Sequence, residues 1–337
     1  MKLRNILVAL IAVAVTMPAG AFTAREVEVQ NTADGVTLAG TLTLPDAGTP
    51  TAAIVMVTGS GAQDRDESVF GHKPFKTIAE YLSNLGYAVL RTDDRGVGAS
   101  TGRTDDVTTG SNVRDAEASL AWIASQYPGI PAGCIGHSEG GQVAVRLAAE
   151  PPCSFIVTLA APAWKGDSLI MAQSRAISMA MTGAWPGEGM QRQLLSIAES
   201  QTPAYSARMM MLSVLASSLG DQAALPEVQK YIGAQVDAML SPWYREFLRY
   251  DPADDIKAVA VPWLALNGSK DMQVPVENLS TIASLNPMAE TRVMEGHNHL
   301  FQPAITGLPQ EYAGISGDIS PETLTIIAQW LADNVRK

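Results

Sequence analysis

The chain has two cysteines in 337 residues, 17% charged residues and 6% aromatics. Two thiols cannot build a disulfide scaffold or a four-thiolate zinc site. Basic residues are also scarce: 23 Lys and Arg stand against 34 Asp and Glu, a net charge of −11 with no basic cluster. That balance argues against a nucleic-acid or anionic-lipid partner held by net field. Low-complexity tracts and internal repeats are absent. Beyond its first twenty residues the chain has no apolar run long enough to span a bilayer. What remains is 47% hydrophobic, enough to bury a large core, and intrinsic disorder is excluded as a global description. At roughly 150 residues per domain, the length suits two domains or one large domain with an insertion.

Residues 1–21 read as a secretory signal. Lys2 and Arg4 precede ten apolar residues, Ile6 to Val15, followed by Pro18 and the small run Ala19-Gly20-Ala21. As a helix, ten residues rise only about 15 Å, half a bilayer core. The expectation is cleavage and export to the periplasm or the medium. In such a compartment Cys134 and Cys153 could pair, although buried free thiols fit their apolar surroundings equally well.

Residues 26–30 and 37–44 alternate polar and apolar around Asp34-Gly35, the pattern of an antiparallel hairpin. Apolar strands at 52–57, 87–90, 133–136, 155–160, 261–267 and 292–294 then alternate with helices. Phe75, Ile78, Ala79 and Leu82 mark one helix, 113–127 another and 323–335 the last. This order predicts an α/β fold, a mostly parallel sheet covered by helices on both faces. Residues 164–250 break the alternation: no strand is evident, and they hold eight of the 14 methionines. They are expected to form a helical cap inserted between two core segments, 22–163 and 251–337. The methionines would serve as adaptable packing between short helices, or as a malleable wall over an apolar pocket.

Gly136-His137-Ser138-Glu139-Gly140-Gly141 lies between a strand and a helix. A serine on that turn takes a strained backbone, so the residues two away must be nearly free of side chain. Its hydroxyl then projects at the C-terminal edge of the sheet. A serine needs a base, and there are four histidines. His137 should turn into the fold, and His72 should steady a loop or sit at the surface. His297 and His299 follow the last strand; His299 is favoured because Leu300-Phe301 can anchor it. Asp271, just past the 261–267 strand, suits the carboxylate that orients the base, with Glu277 in reserve. The oxyanion would rest on the amides of Glu139 and of Ser60 or Gly61. The run Gln63-Asp64-Arg65-Asp66-Glu67 could clamp loops through Arg91 or Arg95. No metal is expected at His297-x-His299, which has no accompanying ligand cluster.

Three of these motifs together, Gly59-Ser60-Gly61-x-Gln63-Asp64-Arg65-Asp66, Gly136 to Gly141 and His299-Leu300-Phe301-Gln302, resemble the α/β-hydrolase superfamily. Within it they resemble a bacterial branch of serine carboxylesterases related to the prolyl-oligopeptidase-like hydrolases. The resemblance implies a triad of Ser138, Asp271 and His299, cleavage of short to medium acyl esters without a cofactor, and a small-molecule ester as partner. One departure is Thr58, where many relatives carry His. Peptidase or aminopeptidase activity, acyl transfer to another alcohol, and a catalytically silent binding protein are the alternatives. The sequence does not set the oligomeric state.

Overall fold

The structure, a computed structural model, describes residues 22–335; the expected signal segment lies outside them. The first part runs β1 (Phe22–Asn31), β2 (Val36–Pro45), β3 (Ala53–Val57), α1 (Pro74–Asn84), β4 (Ala88–Thr92), α2 (Thr109–Gln126), β5 (Ala132–His137), α3 (Glu139–Leu147) and β6 (Cys153–Leu159). Five helices without a strand follow: α4 (Gly166–Thr182), α5 (Glu188–Glu199), α6 (Ala204–Leu219), α7 (Pro226–Met239) and α8 (Pro242–Arg249). The chain returns through α9 (Ala253–Ala258), β7 (Trp263–Gly268), α10 (Glu277–Leu285), β8 (Glu290–Met294), α11 (Pro309–Tyr312) and α12 (Pro321–Asn334).

The eight strands form one sheet in the order β1-β2-β4-β3-β5-β6-β7-β8. β1 pairs with β2 and β2 with β4 antiparallel; the other neighbours are parallel. Sequence shows why. Every residue of β3, β5 and β7 is buried, as strands covered on both faces must be. β1 is largely exposed and polar, which suits a sheet edge. The period of two along β3 sends Ile54 and Met56 to one side, with Phe75, Ile78 and Leu82 of α1 and Ile327 and Trp330 of α12. Ala53, Val55 and Val57 go to the other, with Leu120 and Ile123 of α2, Val143 of α3 and Ile282 of α10. Removing a buried Leu or Ile side chain from either layer typically costs about 2–5 kcal/mol.

Helices α5 to α8 bury a small core of their own, which includes Leu194, Leu195, Ala207, Met211, Val236 and Leu248. Met171, Met190 and Met239 pack against it, whereas Met179, Met181, Met209 and Met210 are exposed. Cys134 and Cys153 are buried free thiols. All parallel strands point the same way, so the segments after β3, β5, β7 and β8 meet along one edge of the sheet.

Candidate active site

Ser138 stands between β5 and α3 with φ +52° and ψ −122°. For a residue with a Cβ this is strained backbone, a conformation that survives only where the surroundings over-determine it. They do so here through close packing. A Cβ on Gly136 would lie 2.1 Å from Gly140 O, and one on Gly140 would lie 2.1 Å from Val57 O. Only hydrogen fits at either place, and the turn is forced tight. The Ser138 N–H donates to Leu159 O at 2.8 Å, fixing the turn to β6.

Ser138 and His299 both line a cavity of about 310 Å³, together with Ser60. His299 is buried, and its Nδ1 lies 2.7 Å from Asp271 Oδ2. Asp271 Oδ1 accepts the N–H groups of Gln273 at 2.7 Å and Val274 at 2.9 Å. That leaves the carboxylate one orientation. Because Nδ1 is engaged by Asp271, the free ring nitrogen of His299 is Nε2. The loop carrying it is locked by Asn298, whose Oδ1 accepts the N–H groups of Leu300 and Gln302, each at 3.0 Å. Phe301, at φ +59°, is buried behind it.

The other histidines are placed differently. His297 turns its Nδ1 to Glu295 O at 2.9 Å and does not line the cavity. His72 is buried rather than at the surface, tied to Tyr312 O at 2.8 Å. His137 Nδ1 meets Glu67 Oε1 at 2.9 Å and its Nε2 meets His299 O at 2.9 Å. Glu277 is exposed at the start of α10, outside the cavity lining.

Glu139 opens α3, so its N–H is among the first four of the helix, which have no intrahelical acceptor. Its side chain is buried and turns to Thr109 Oγ1 at 2.5 Å and to Trp243 Nε1 at 3.0 and 2.9 Å. Burial raises its carboxyl above the usual range, against the pull of the hydrogen bonds from Thr109, Trp243 and Ser60. Trp243 belongs to α8, so the residue beside Ser138 also anchors the helices that follow β6. Glu246 of the same helix adds a bond from Gly110 N at 2.7 Å.

The acidic and basic run after Ser60 pairs as a network, with one difference from expectation. Asp66 pairs with Arg91, and Arg65 with Asp93 and Glu26. Arg95 instead turns away to Asp115 and Asp34. Thr58, the departure noted above, donates its hydroxyl to Asp94 Oδ1 at 2.7 Å, and Asp94 Oδ2 accepts Gln63 N–H at 2.9 Å. Sequence reasoning missed Glu67 as a site residue, because a lone Glu in a charge run carries no signal of burial. It also missed Trp243. The wall contributed by the inserted helices is Leu169, Ile170, Gln173, Trp243 and Phe247, with no methionine in it. The malleable methionine wall is therefore not what the fold builds: the buried methionines pack between helices instead.

The family model for serine aminopeptidase, S33, matches residues 72–220, a span that holds Ser138 but not Asp271 or His299. Esterase EstD of Thermotoga maritima is 23% identical over 301 residues, 87% of this chain and 65% of EstD. A monoglyceride lipase homolog of monkeypox virus is 36% identical over 84 residues, 24% of this chain and 30% of that protein. The chain thus spans less than two thirds of the length of these relatives. Among solved structures, the Pyrococcus furiosus esterase Pf2001 superposes with a TM-score of 0.57 at 18% identity, over 93% of each chain. By its sheet order, its strand–serine–helix turn and these likenesses, the chain has the α/β-hydrolase fold.

Proposed function

We propose that the protein is a serine carboxylesterase acting on esters of short to medium acyl chains, exported by its first 21 residues. The observation that carries the reading is the company kept by the strained Ser138: it shares a cavity with His299, whose Nδ1 lies 2.7 Å from the buried Asp271. In this scheme Ser138 Oγ attacks the ester carbonyl carbon while His299 Nε2 takes its proton. Asp271 holds the ring in the tautomer that leaves Nε2 free to accept, and stabilises the imidazolium that forms. The oxyanion rests on the N–H groups of Glu139 and Ser60. The alcohol leaves with the proton from His299. Water then enters, gives a proton to the same nitrogen and bonds to the acyl carbon; His299 returns that proton to Ser138 Oγ as its bond to the acyl carbon breaks and the acid leaves. The three residues and the chemistry need no cofactor.

The names of the relatives, an esterase and a monoglyceride lipase homolog, support ester cleavage. A cavity of about 310 Å³ with an apolar wall supports a modest acyl group; it lies at the small end of ligand pockets, which run from about 300 to 1,000 Å³. The description of the family model favours a second reading, release of an N-terminal residue from a peptide. Turnover of p-nitrophenyl esters compared with aminoacyl anilides separates the two: the esterase reading expects the esters to be cleaved and the anilides not. A fluorophosphonate should label Ser138. Ser138→Ala should abolish labelling and lower kcat on the order of 10⁴- to 10⁶-fold. Asp271→Asn keeps an oxygen for Gln273 and Val274 but turns an amide towards His299 Nδ1. The ring is then held in the wrong tautomer, and kcat should fall on the order of 10³- to 10⁴-fold with KM little changed. Near-normal ester cleavage by the Ser138 variant would end the proposal.

A further inference from the structure

Glu67 and His137 take no part in the chemistry above, yet they stand between its parts. Glu67 is 3% exposed and His137 6%. Glu67 Oε1 accepts the Gly59 N–H at 2.7 Å and meets His137 Nδ1 at 2.9 Å. On the far side of the ring, His137 Nε2 meets the main-chain carbonyl of His299 at 2.9 Å. A carboxylate and a carbonyl only accept, so both ring nitrogens donate and His137 is an imidazolium. Burial, the largest single influence, would push that ring towards neutrality; the charge and hydrogen bond of Glu67, the His299 carbonyl and the Asp271 charge together outweigh it, and the net shift is upward.

This is a buried ion pair, and such pairs seldom add stability over well-packed apolar groups. The geometry here serves another end. Gly59 immediately precedes Ser60, and a Cβ on Gly59 would lie 3.1 Å from Glu67 Oε1 and 3.3 Å from Ser138 Cβ. The rings of His137 and His299 lie 4.6 Å apart between centroids. Glu67 itself is held at φ +53°, a strained backbone like that of Ser138. Two loops distant in sequence, at 59–61 and 296–302, are therefore gripped by one carboxylate–imidazolium pair directly behind the nucleophile.

We propose that Glu67 and His137 are positioning residues, a clamp that sets the oxyanion loop and the histidine loop at fixed separation across Ser138. The proposal rests on the serine-hydrolase reading. Its test is the rate of fluorophosphonate labelling of the full chain, together with kcat and KM on a p-nitrophenyl ester, in two pairs of variants. His137→Asn keeps a donor at the level of Nδ1 but falls short of His299 O; His137→Gln reaches His299 O and releases Glu67. Misplacing a catalytic group by about 1 Å costs on the order of 100-fold, so His137→Asn should label about 30-fold slower or worse, with kcat reduced and KM held. His137→Gln opens the other joint of the clamp and should lose rate to a similar extent, again with KM held. Glu67→Gln keeps the one oxygen that takes both the Gly59 N–H and the His137 Nδ1–H, so it should stay closer to the wild type than Glu67→Met, which removes that oxygen and should lose about 30-fold or more.

A rate within about threefold of the wild type after substitution at His137, to Asn or to Gln, would overturn the clamp. Should that substitution prevent folding, the Glu67 pair decides alone: a Glu67→Met protein as fast as Glu67→Gln overturns it. Wild-type protein that does not label would overturn the serine-hydrolase reading itself, a result distinct from wild-type labelling that the variants leave unchanged.

Discussion

A side-chain-bearing residue that must sit in the left-handed region draws stability from its neighbours, and at Ser138 the neighbours are backbone atoms. Strain of this kind costs on the order of 1–3 kcal/mol, and here the close approach of Gly136 and Gly140 leaves the serine no relaxed alternative. Asp94 shows another residue held at a cost. It follows β4 and binds Thr58 and Gln63 beneath the Ser60 loop. Burial pushes its carboxyl up to about 7, against the hydrogen bonds from Thr58 and Gln63. In the unfolded chain this group titrates near the ordinary Asp value of 3.8. Between these pH values the folded protein holds a proton that the unfolded chain lacks, so stability is greatest below about pH 4 and declines as pH rises through about 7. Asp94→Asn keeps the proton-like amide at every pH: its oxygen takes the Gln63 N–H and its NH2 meets the Thr58 hydroxyl. The variant should therefore be more stable than the wild type at pH 8, with the gap closing by pH 4 to 5. Thermal unfolding at the two ends of that range checks it; a gap that widens towards acid would contradict the upward shift.

At the scale of elements, the core was legible because period and punctuation agreed. The apolar runs within β3, β5 and β7 and the helical spacing of Phe75, Ile78 and Leu82 each admit one placement, and the parallel sheet follows. Element ends were less legible. The hairpin expected at 26–30 and 37–44 extends to Phe22–Asn31 and Val36–Pro45, because main-chain pairing continues where side-chain alternation has faded. Helix α2 starts at Thr109, four residues before the expected 113, because Thr108 and Ser111 close a reciprocal cap: Ser111 N donates to Thr108 Oγ1 at 3.1 Å and Thr108 N to Ser111 Oγ at 2.9 Å. Ser at the fourth position, in place of the usual Glu or Gln, hid the signature. Thr108→Ala should cost about 1 kcal/mol and lower Tm by about 2–4 °C, measured by calorimetry; an unchanged Tm would show that α8, through Glu246 and Gly110, already holds this end. Ser138, Asp271 and His299 could be singled out as candidates because each follows a readable strand. Glu67 and Trp243 were not, since their roles depend on contacts 70 and 104 residues away.

For the whole molecule, charge and cavity favour the same kind of ligand. The chain carries −11, and the residues lining the cavity include no Lys or Arg; the one carboxylate there, Glu67, is engaged by His137. An acyl group bearing its own carboxylate would enter against the long-range field and then find no unpaired counter-charge within, since the His137 imidazolium is already paired with Glu67. Neutral esters meet neither obstacle, and cationic ones gain at the encounter step only. Charged surfaces change association rates by 10-fold or more at low ionic strength, and salt removes the effect once the Debye length falls to about 3 Å at 1 M. Among esters of matched length, kcat/KM should therefore rank neutral above anionic by about 10-fold or more in low salt. Added salt should narrow that gap without closing it: the long-range part is screened, while the cost of burying an unpaired carboxylate against Leu169, Ile170 and Phe247 is not. Steady-state kinetics on a methyl ester series, neutral and ω-carboxylated, in 20 mM and 1 M salt would separate the two contributions. A gap that vanishes completely in salt would mean that the cavity itself tolerates the charge, and that selection against anions lies only in the field of the surface.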